Sequence, residues 1–289
     1  MKSASPALVL VAFMLGCSDG GPTSGTTDDR QTLIAVGDVA SCSSQGDEAT
    51  AALVDGIAGT IILAGDIAYE SGTTSEFANC YDPSWGRHRA RTRPAPGNHE
   101  YETPDAVPYY AYFGANAGPP GRGYYSFDLG AWHIVSLNSS VSAGAGSAQE
   151  QWLRADLAAS NARCTLAYWH HPVFSSGLQG NYAIMRDVWR ALHDFNADVV
   201  ISGHDHDYER FAPQTVDGVA DPSRGIREFV VGTGGRSLSP IIIARPNSER
   251  RFDGGYGVLR LLLDAESYSW EFVPVTAGLN VDSGAGVCH

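Results

Sequence analysis

Basic residues are scarce in this 289-residue chain: 19 Lys and Arg stand against 32 Asp and Glu, for a formal net charge of -13. Nucleic-acid binders gain affinity from cations that neutralise phosphates, so the balance argues against that class. It does not exclude a small phosphorylated substrate, because bound cations, not global charge, can set the potential around one phosphate. Long hydrophobic runs are also missing. The apolar stretch from Ala7 to Leu15 falls far short of the roughly 20 residues that span a bilayer, which excludes an anchor helix there. Internal repeats are absent, and no linker follows Arg30. What is present, 43% hydrophobic and 18% charged residues, excludes a disordered polypeptide and suffices for one large core or two modest ones.

Lys2, the short apolar stretch and then Gly16 and Cys17 give the expectation of an export signal over residues 1–17. Its MLGC string resembles a bacterial lipoprotein signal, which implies cleavage before Cys17, a lipid on that cysteine and a place in the cell envelope. A plain secretory signal, with a periplasmic or secreted product, is the alternative. Residues 18–30 are mostly Gly, Ser, Thr and Asp and read as a flexible tether, leaving 31–289 as one catalytic domain. Cysteine is limited to Cys17 and four others. An even number in an exported chain favours two disulfides. Of the three possible pairings we expect Cys42 with Cys80, tying two candidate loops together, and Cys164 with Cys288.

Apolar runs Thr32–Val36 and Ile61–Ala64 each end in Gly-Asp, with helical spacing over Glu48–Ile57 between them. A strand–helix–strand unit of this kind places Asp38 and Asp66 at the carboxyl edge of one sheet, where ligands gather in open α/β folds. The pattern recurs with helices over Gln149–Leu157 and Ala183–Phe195 and strands over Thr165–Trp169 and Asp198–Ser202, the strands leading into His170 and His204. Hairpin-like β-rich segments (Tyr124–Asp128, Trp132–Leu137, Glu228–Val231, Val258–Leu263, Tyr268–Val273) are interleaved with these units. The fold class expected is therefore α/β, two packed sheets with helices outside.

Four strings carry the chemistry: GDIAY from Gly65, GNHE from Gly97, HHP from His170 and GHDH from Gly203. Two metals about 3.5–4 Å apart need a bridging ligand, and a carboxylate with two oxygens serves. Asp66 is the expected bridge. Asp38, Tyr69 and one GHDH imidazole would complete one metal; Asn98, His170 and the other imidazole would complete the second. On an extended GHDH segment, His204 and His206 would leave the same side.

In their order these strings resemble the purple acid phosphatases, within the calcineurin-like metallophosphoesterases. The resemblance implies a four-layer αββα sandwich of two mixed sheets flanked by helices. It also implies Fe(III) held by Asp38, Asp66, Tyr69 and His206, and Zn, Fe or Mn(II) held by Asp66, Asn98, His170 and His204. A hydroxide generated on the metals would attack a phosphate monoester while His99, not needed as a ligand, donates a proton to the leaving group. The usual substrate-binding His after HHP is missing, and His171 is the nearest substitute: it contacts phosphate or packs under the loop. Phosphodiesters or nucleotides are the alternative substrates, and a non-catalytic metal-containing surface protein is the rival class. The run Arg87, His88, Arg89, Arg91 and Arg93 reads as a solvated face or one paired with local acids, with a phosphate-attracting rim as the alternative, and GTGG at Gly232 reads as a tight turn. His88, His133, His193 and His289 have no motif around them.

Overall fold

The structure is a computed structural model that describes residues 1, 2 and 30–289. The expected export signal, Cys17 and nearly all of the tether lie outside the described residues. Six strands form one mixed sheet in the order Ser283–Val287, Ser267–Pro274, Gly257–Leu263, Gln31–Val36, Thr60–Ala64 and Thr92–Ala95. Seven form the second, in the order Ser248–Phe252, Tyr208–Phe211, Arg227–Val231, Val199–Ser202, Cys164–Tyr168, Trp132–Ser136 and Tyr125–Leu129.

Period-two alternation explains how the second sheet buries both faces. Ile134, Leu166, Tyr168, Val199, Ile201, Phe229 and Val231 share one core with Leu33, Leu259, Leu261 and Trp270 of the first sheet. Their neighbours Val135, Ala167, Val200 and Val230 face the other way, onto Leu153, Leu157, Val188, Trp189 and Leu192 of two helices. Those helices are Ala148–Ala159, whose Ser147 cap accepts from Glu150 N at 3.2 Å, and Arg186–Asp194. A third, Gly46–Asp55, links the parallel strands Gln31–Val36 and Thr60–Ala64. Two mixed sheets flanked by helices are what the sequence leads one to expect.

Both disulfides form as expected, Cys42 to Cys80 and Cys164 to Cys288. The second joins residues 124 positions apart and fastens the last strand to the start of a central one. Loop-closure arguments make such a bridge worth about 2–5 kcal/mol. Cys288→Ser is expected to lower stability in urea by that amount, and an unchanged midpoint would contradict it.

Several elements differ from the sequence reading. The strand Thr92–Ala95 contains Pro94, which masks it, and it lies at a sheet edge, where proline is tolerated. Ser283–Val287 is a Gly-rich strand whose Gly284 and Gly286 lie directly against the rings of Trp270 and Tyr268, leaving no space for a Cβ. Ser248–Phe252 is a polar edge strand. The helical reading over Ala183–Phe195 divides into a 3-10 turn, Ala183–Met185, and the helix proper.

Candidate metal centre

Carboxyl ends of five strands converge on one place. Asp38 follows Gln31–Val36, Asp66 follows Thr60–Ala64, Asn98 follows Thr92–Ala95, His170 follows Cys164–Tyr168, and His204 follows Val199–Ser202. The Gly-Asp turns are tight. Gly65 has φ +80°, and a Cβ there would stand 2.6 Å from the His170 ring; a Cβ on Gly203 would stand 2.6 Å from Asp38 Oδ2. Asp38, Asp66 and His204 also occupy the left-handed region, at φ 60°, 50° and 71°. Non-glycine residues are held there only by a surrounding structure that over-determines them, and functional sites are where this clusters.

The side chains meet closely. The Tyr69 hydroxyl donates to Asp38 Oδ1 at 2.8 Å and lies 3.1 Å from Asp66 Oδ2 and 3.2 Å from His206 Nε2. His170 Nε2 is 3.0 Å from Asp66 Oδ2 and 3.2 Å from His204 Nδ1. Asp66 thus touches both halves of the cluster, as a bridging residue must. Two carbonyls set the imidazoles: His170 Nδ1 donates to Ala64 O at 2.8 Å, and His206 Nδ1 donates to Ser237 O at 2.5 Å. Each ring therefore turns the lone pair of its other nitrogen, Nε2, inward, the arrangement typical of metal-ligating histidines.

Several features fit this donor set to cations. Asn98 Oδ1 and His204 Nε2 are buried and have no hydrogen-bond partner among the described residues. Burial would lower the His170 pKa, but the Asp66 carboxylate overrides it and pushes the ring up to about 9. A positive charge is therefore wanted between them, and a metal ion can take the proton's place. Burial first, and then the carboxylates of Asp38 and Asp66, hold the Tyr69 phenol well above its ordinary range, so only a strongly polarising cation would ionise it. Burial, followed by the proximity of His170, lowers His204 to about 3 and keeps it neutral and able to donate a lone pair. Asp38, Asp66 and His170 form one group whose donor atoms lie within 4.8 Å of one another, and His170, His171 and His204 form another.

His99 borders the centre without being enclosed by it. Its ring lies 4.4 Å from that of Tyr69, Nε2 stands 3.7 Å from Asp66 Oδ2, and Nδ1 is hydrogen-bonded to Glu70 O. His171 packs more deeply than a phosphate contact requires. Its Nδ1 meets Ser139 Oγ at 2.8 Å, and its ring lies 4.4 Å from Tyr182 and 4.3 Å from His204.

One part of the sequence reading needs correction. GHDH is not extended: Asp205 N donates to Gly203 O at 2.9 Å and Asp207 N to Asp205 O at 2.8 Å, so a tight turn is centred on each histidine. The basic run forms no phosphate rim. Arg87 pairs with Asp55, Arg91 donates to the carbonyls of Val54, Ile57 and Gly59, and His88 is buried against Trp85, so the run braces the end of helix Gly46–Asp55. GTGG is the expected turn, and it backs the first ligand loop, with Gly234 N donating to Gly37 O and Arg236 N to Asp38 O, both at 3.0 Å.

Residues the motifs did not single out complete the site. The fully buried Glu100 accepts the N–H groups of Gly97 (2.7 Å), Ile67 (2.8 Å), Asp66 (3.0 Å) and Ala68 (3.3 Å), fixing the turn that bears Asp66 and the loop that bears Asn98. Burial, followed by the neighbouring Asp66, pushes its carboxyl up to about 7. Arg236 pairs with Glu70 at 2.8 Å and sits 5.0 Å from the Tyr69 ring centroid. The only signal for Glu100 was its place in GNHE; nothing in the sequence marked Arg236.

Comparisons with known proteins follow the same line. Residues 32–208 match the family model for the calcineurin-like phosphoesterases. Over 240 residues the chain is 30% identical to purple acid phosphatase 22 of Arabidopsis thaliana, covering 73% of this chain and 53% of that one. Purple acid phosphatase 21 of the same plant is 31% identical over 240 residues, covering 73% of this chain and 52% of that one. Among solved structures, purple acid phosphatase PPD1 from yellow lupin (Lupinus luteus) superposes with a TM-score of 0.78 at 20% identity, over 89% of this chain and 53% of that one. GAP50, the anchor in the inner membrane complex of Plasmodium, superposes at 0.69 with 14% identity, over 90% and 89%. The chain spans about half the length of the first curated relatives it matches. With more than half of its sequence matched to one family, and the strings that carry the match gathered at one sheet edge, the chain belongs to the calcineurin-like phosphoesterases as a purple acid phosphatase-like member.

Proposed function

We propose that this chain is an exported hydrolase of phosphate monoesters that works with two metal ions. The observation that carries the reading is the convergence of Asp38, Asp66, Tyr69, His170, His204 and His206 within direct contact of one another. Asp38, Asp66, Tyr69 and His206 would hold Fe(III); Asp66, Asn98, His170 and His204 would hold Zn, Fe or Mn(II). When bound, such a pair supplies Lewis-acid chemistry, drawing charge from phosphoryl oxygens and lowering the pKa of a water toward about 7.

His99 supplies the proton that the leaving alkoxide needs. Its Nδ1–H is committed to Glu70 O, so the proton to be given sits on Nε2, the nitrogen that faces Asp66. Hydrolysis then balances: the ester P–O bond breaks as a P–O bond from water forms, Nε2 gives its proton to the departing alkoxide, and the proton lost by the water restores Nε2. Arg236, across the Tyr69 ring, offers positive charge for the substrate's phosphate, and His171 orients the second imidazole group. The disulfides support an oxidising compartment and hence export, while a lipid anchor at Cys17 rests on the MLGC string alone.

The test is p-nitrophenyl phosphate and alkyl phosphate hydrolysis by the purified full chain after reconstitution with iron and zinc. Turnover of monoesters above diesters such as bis-p-nitrophenyl phosphate supports the reading, and the reverse order makes the chain a diesterase. The fold also serves an anchor in GAP50. Two bound metals without hydrolysis of either ester class would favour a metal-bearing binding protein.

A further inference from the structure

Two loops beside the centre carry no formal charge: residues 172–185 and 237–244 contain no Asp, Glu, Lys or Arg, in a protein with a net charge of -13. They run against each other. Ile242 N donates to Ser176 O at 2.9 Å, Arg245 N to Ser176 Oγ at 2.8 Å, and Arg245 Nε to Ser175 O at 3.1 Å. Both are tied to the candidate ligands. Ser237 O accepts from His206 Nδ1, Ser239 N donates to His206 O at 3.0 Å, and the Tyr182 ring lies 4.4 Å from His171 and 5.2 Å from His204.

The first loop is held with unusual firmness for a surface connection. Glu228 accepts Val173 N and Phe174 N, both at 3.1 Å; Glu209 accepts Ser176 N at 2.7 Å; Asp205 accepts Gln179 N at 2.7 Å and Gly180 N at 3.1 Å. All three carboxylates are fully buried. Burying acids is costly unless each oxygen is satisfied, so this scaffold fixes the loop's backbone in one shape. Yet the large side chains it presents to solvent, beside Gln179 and Asn181, are apolar: Leu178, Tyr182 and Ile184 on this loop, and Ile242 and Ile243, 54% and 65% exposed, on the other. A rigid, uncharged, apolar surface beside a site that takes a phosphate has an evident use: it binds the organic part of the ester without ordering cost.

We propose that these two loops form an apolar wall that selects phosphate monoesters of apolar or aromatic alcohols over those of sugars and nucleosides. This rests on the phosphatase reading above and names its substrate class. Tyr182 provides a ring for stacking beside the imidazoles, and Ile242 and Ile243 add exposed apolar surface on the second loop. A sugar or nucleoside would desolvate hydroxyls wherever they met the carbons of Leu178, Tyr182, Ile184, Ile242 and Ile243.

The experiment compares 2-phenylethyl phosphate with ethyl phosphate, alcohols of similar leaving ability, on the metal-loaded full chain. The expected kcat/KM ratio is roughly tenfold in favour of the phenylethyl ester, the scale of burying a few methylenes or part of a ring. The double variant Ile242→Ser/Ile243→Ser should bring that ratio toward one while ethyl phosphate turnover changes by less than about twofold. A ratio near one in the unaltered chain, or a double variant that depresses both esters equally, would overturn the proposal. If neither ester is hydrolysed, the phosphatase reading fails, and calorimetric binding of 2-phenylethylphosphonate against ethylphosphonate still tests the wall. Equal affinities would overturn it; a roughly tenfold preference, lost in the isoleucine variant, would support it.

Discussion

His99→Ala is expected to reduce kcat for an alkyl phosphate by roughly 10²–10⁴-fold, the range removed with a positioned proton donor, while the protein keeps both metals. The backbone N–H of residue 99 donates to Asp66 Oδ1 at 2.9 Å and is untouched by the substitution, so the bridging carboxylate keeps its place. The loss should shrink for p-nitrophenyl phosphate, whose leaving group needs no proton. That dependence on the leaving group separates a proton donor from a residue that merely shapes the site. Equal losses on both esters, or unchanged turnover of the alkyl ester, would remove His99 from this role.

The second large effect concerns Glu100. Replacing it with alanine leaves four buried N–H groups, those of Asp66, Ile67, Ala68 and Gly97, without their acceptor. Each orphaned donor costs about 1–3 kcal/mol where water cannot reach, and relaxation will recover part of the sum. A destabilisation of about 3–5 kcal/mol is expected. Metal content should fall with it, because Asp66 sits at φ 50° only while that turn is held. Urea unfolding and metal analysis of Glu100→Ala check both. A variant with an unaltered midpoint and full metal content would show that the Gly-Asp turns hold themselves.

Much of the centre was legible because its residues follow strands directly. Asp38, Asp66, His170 and His204 each come within two residues of an apolar run, and strand ends are local features that alternation and Gly-Asp punctuation reveal. Asn98 was legible only through the GNHE string, since its strand contains Pro94 and does not read as one. The two disulfides were legible from parity and loop position.

What escaped notice depends on contacts between distant segments. Glu100 accepts from residues more than thirty positions away, and Asp205, Glu209 and Glu228 hold a loop on another part of the chain. No sequence pattern announces a buried acid whose partners are backbone amides. The bend in GHDH escaped for a different reason: alternating residue types suggest an extended segment, but His204 takes a left-handed conformation that its sequence neighbours do not signal. The basic run stayed open between two readings because clustered arginines look alike whether they face a ligand or cap a helix.

The central claim is that side chains from five strand ends hold a pair of cations through Asp66. Metal analysis of the full chain, reconstituted with iron and zinc and then freed of loose ions, tests it most directly when Asp66→Asn is run alongside. The account predicts two ions per unaltered chain and well under one in the variant. An unaltered chain that retains no metal, or a variant that still holds both ions, would contradict it.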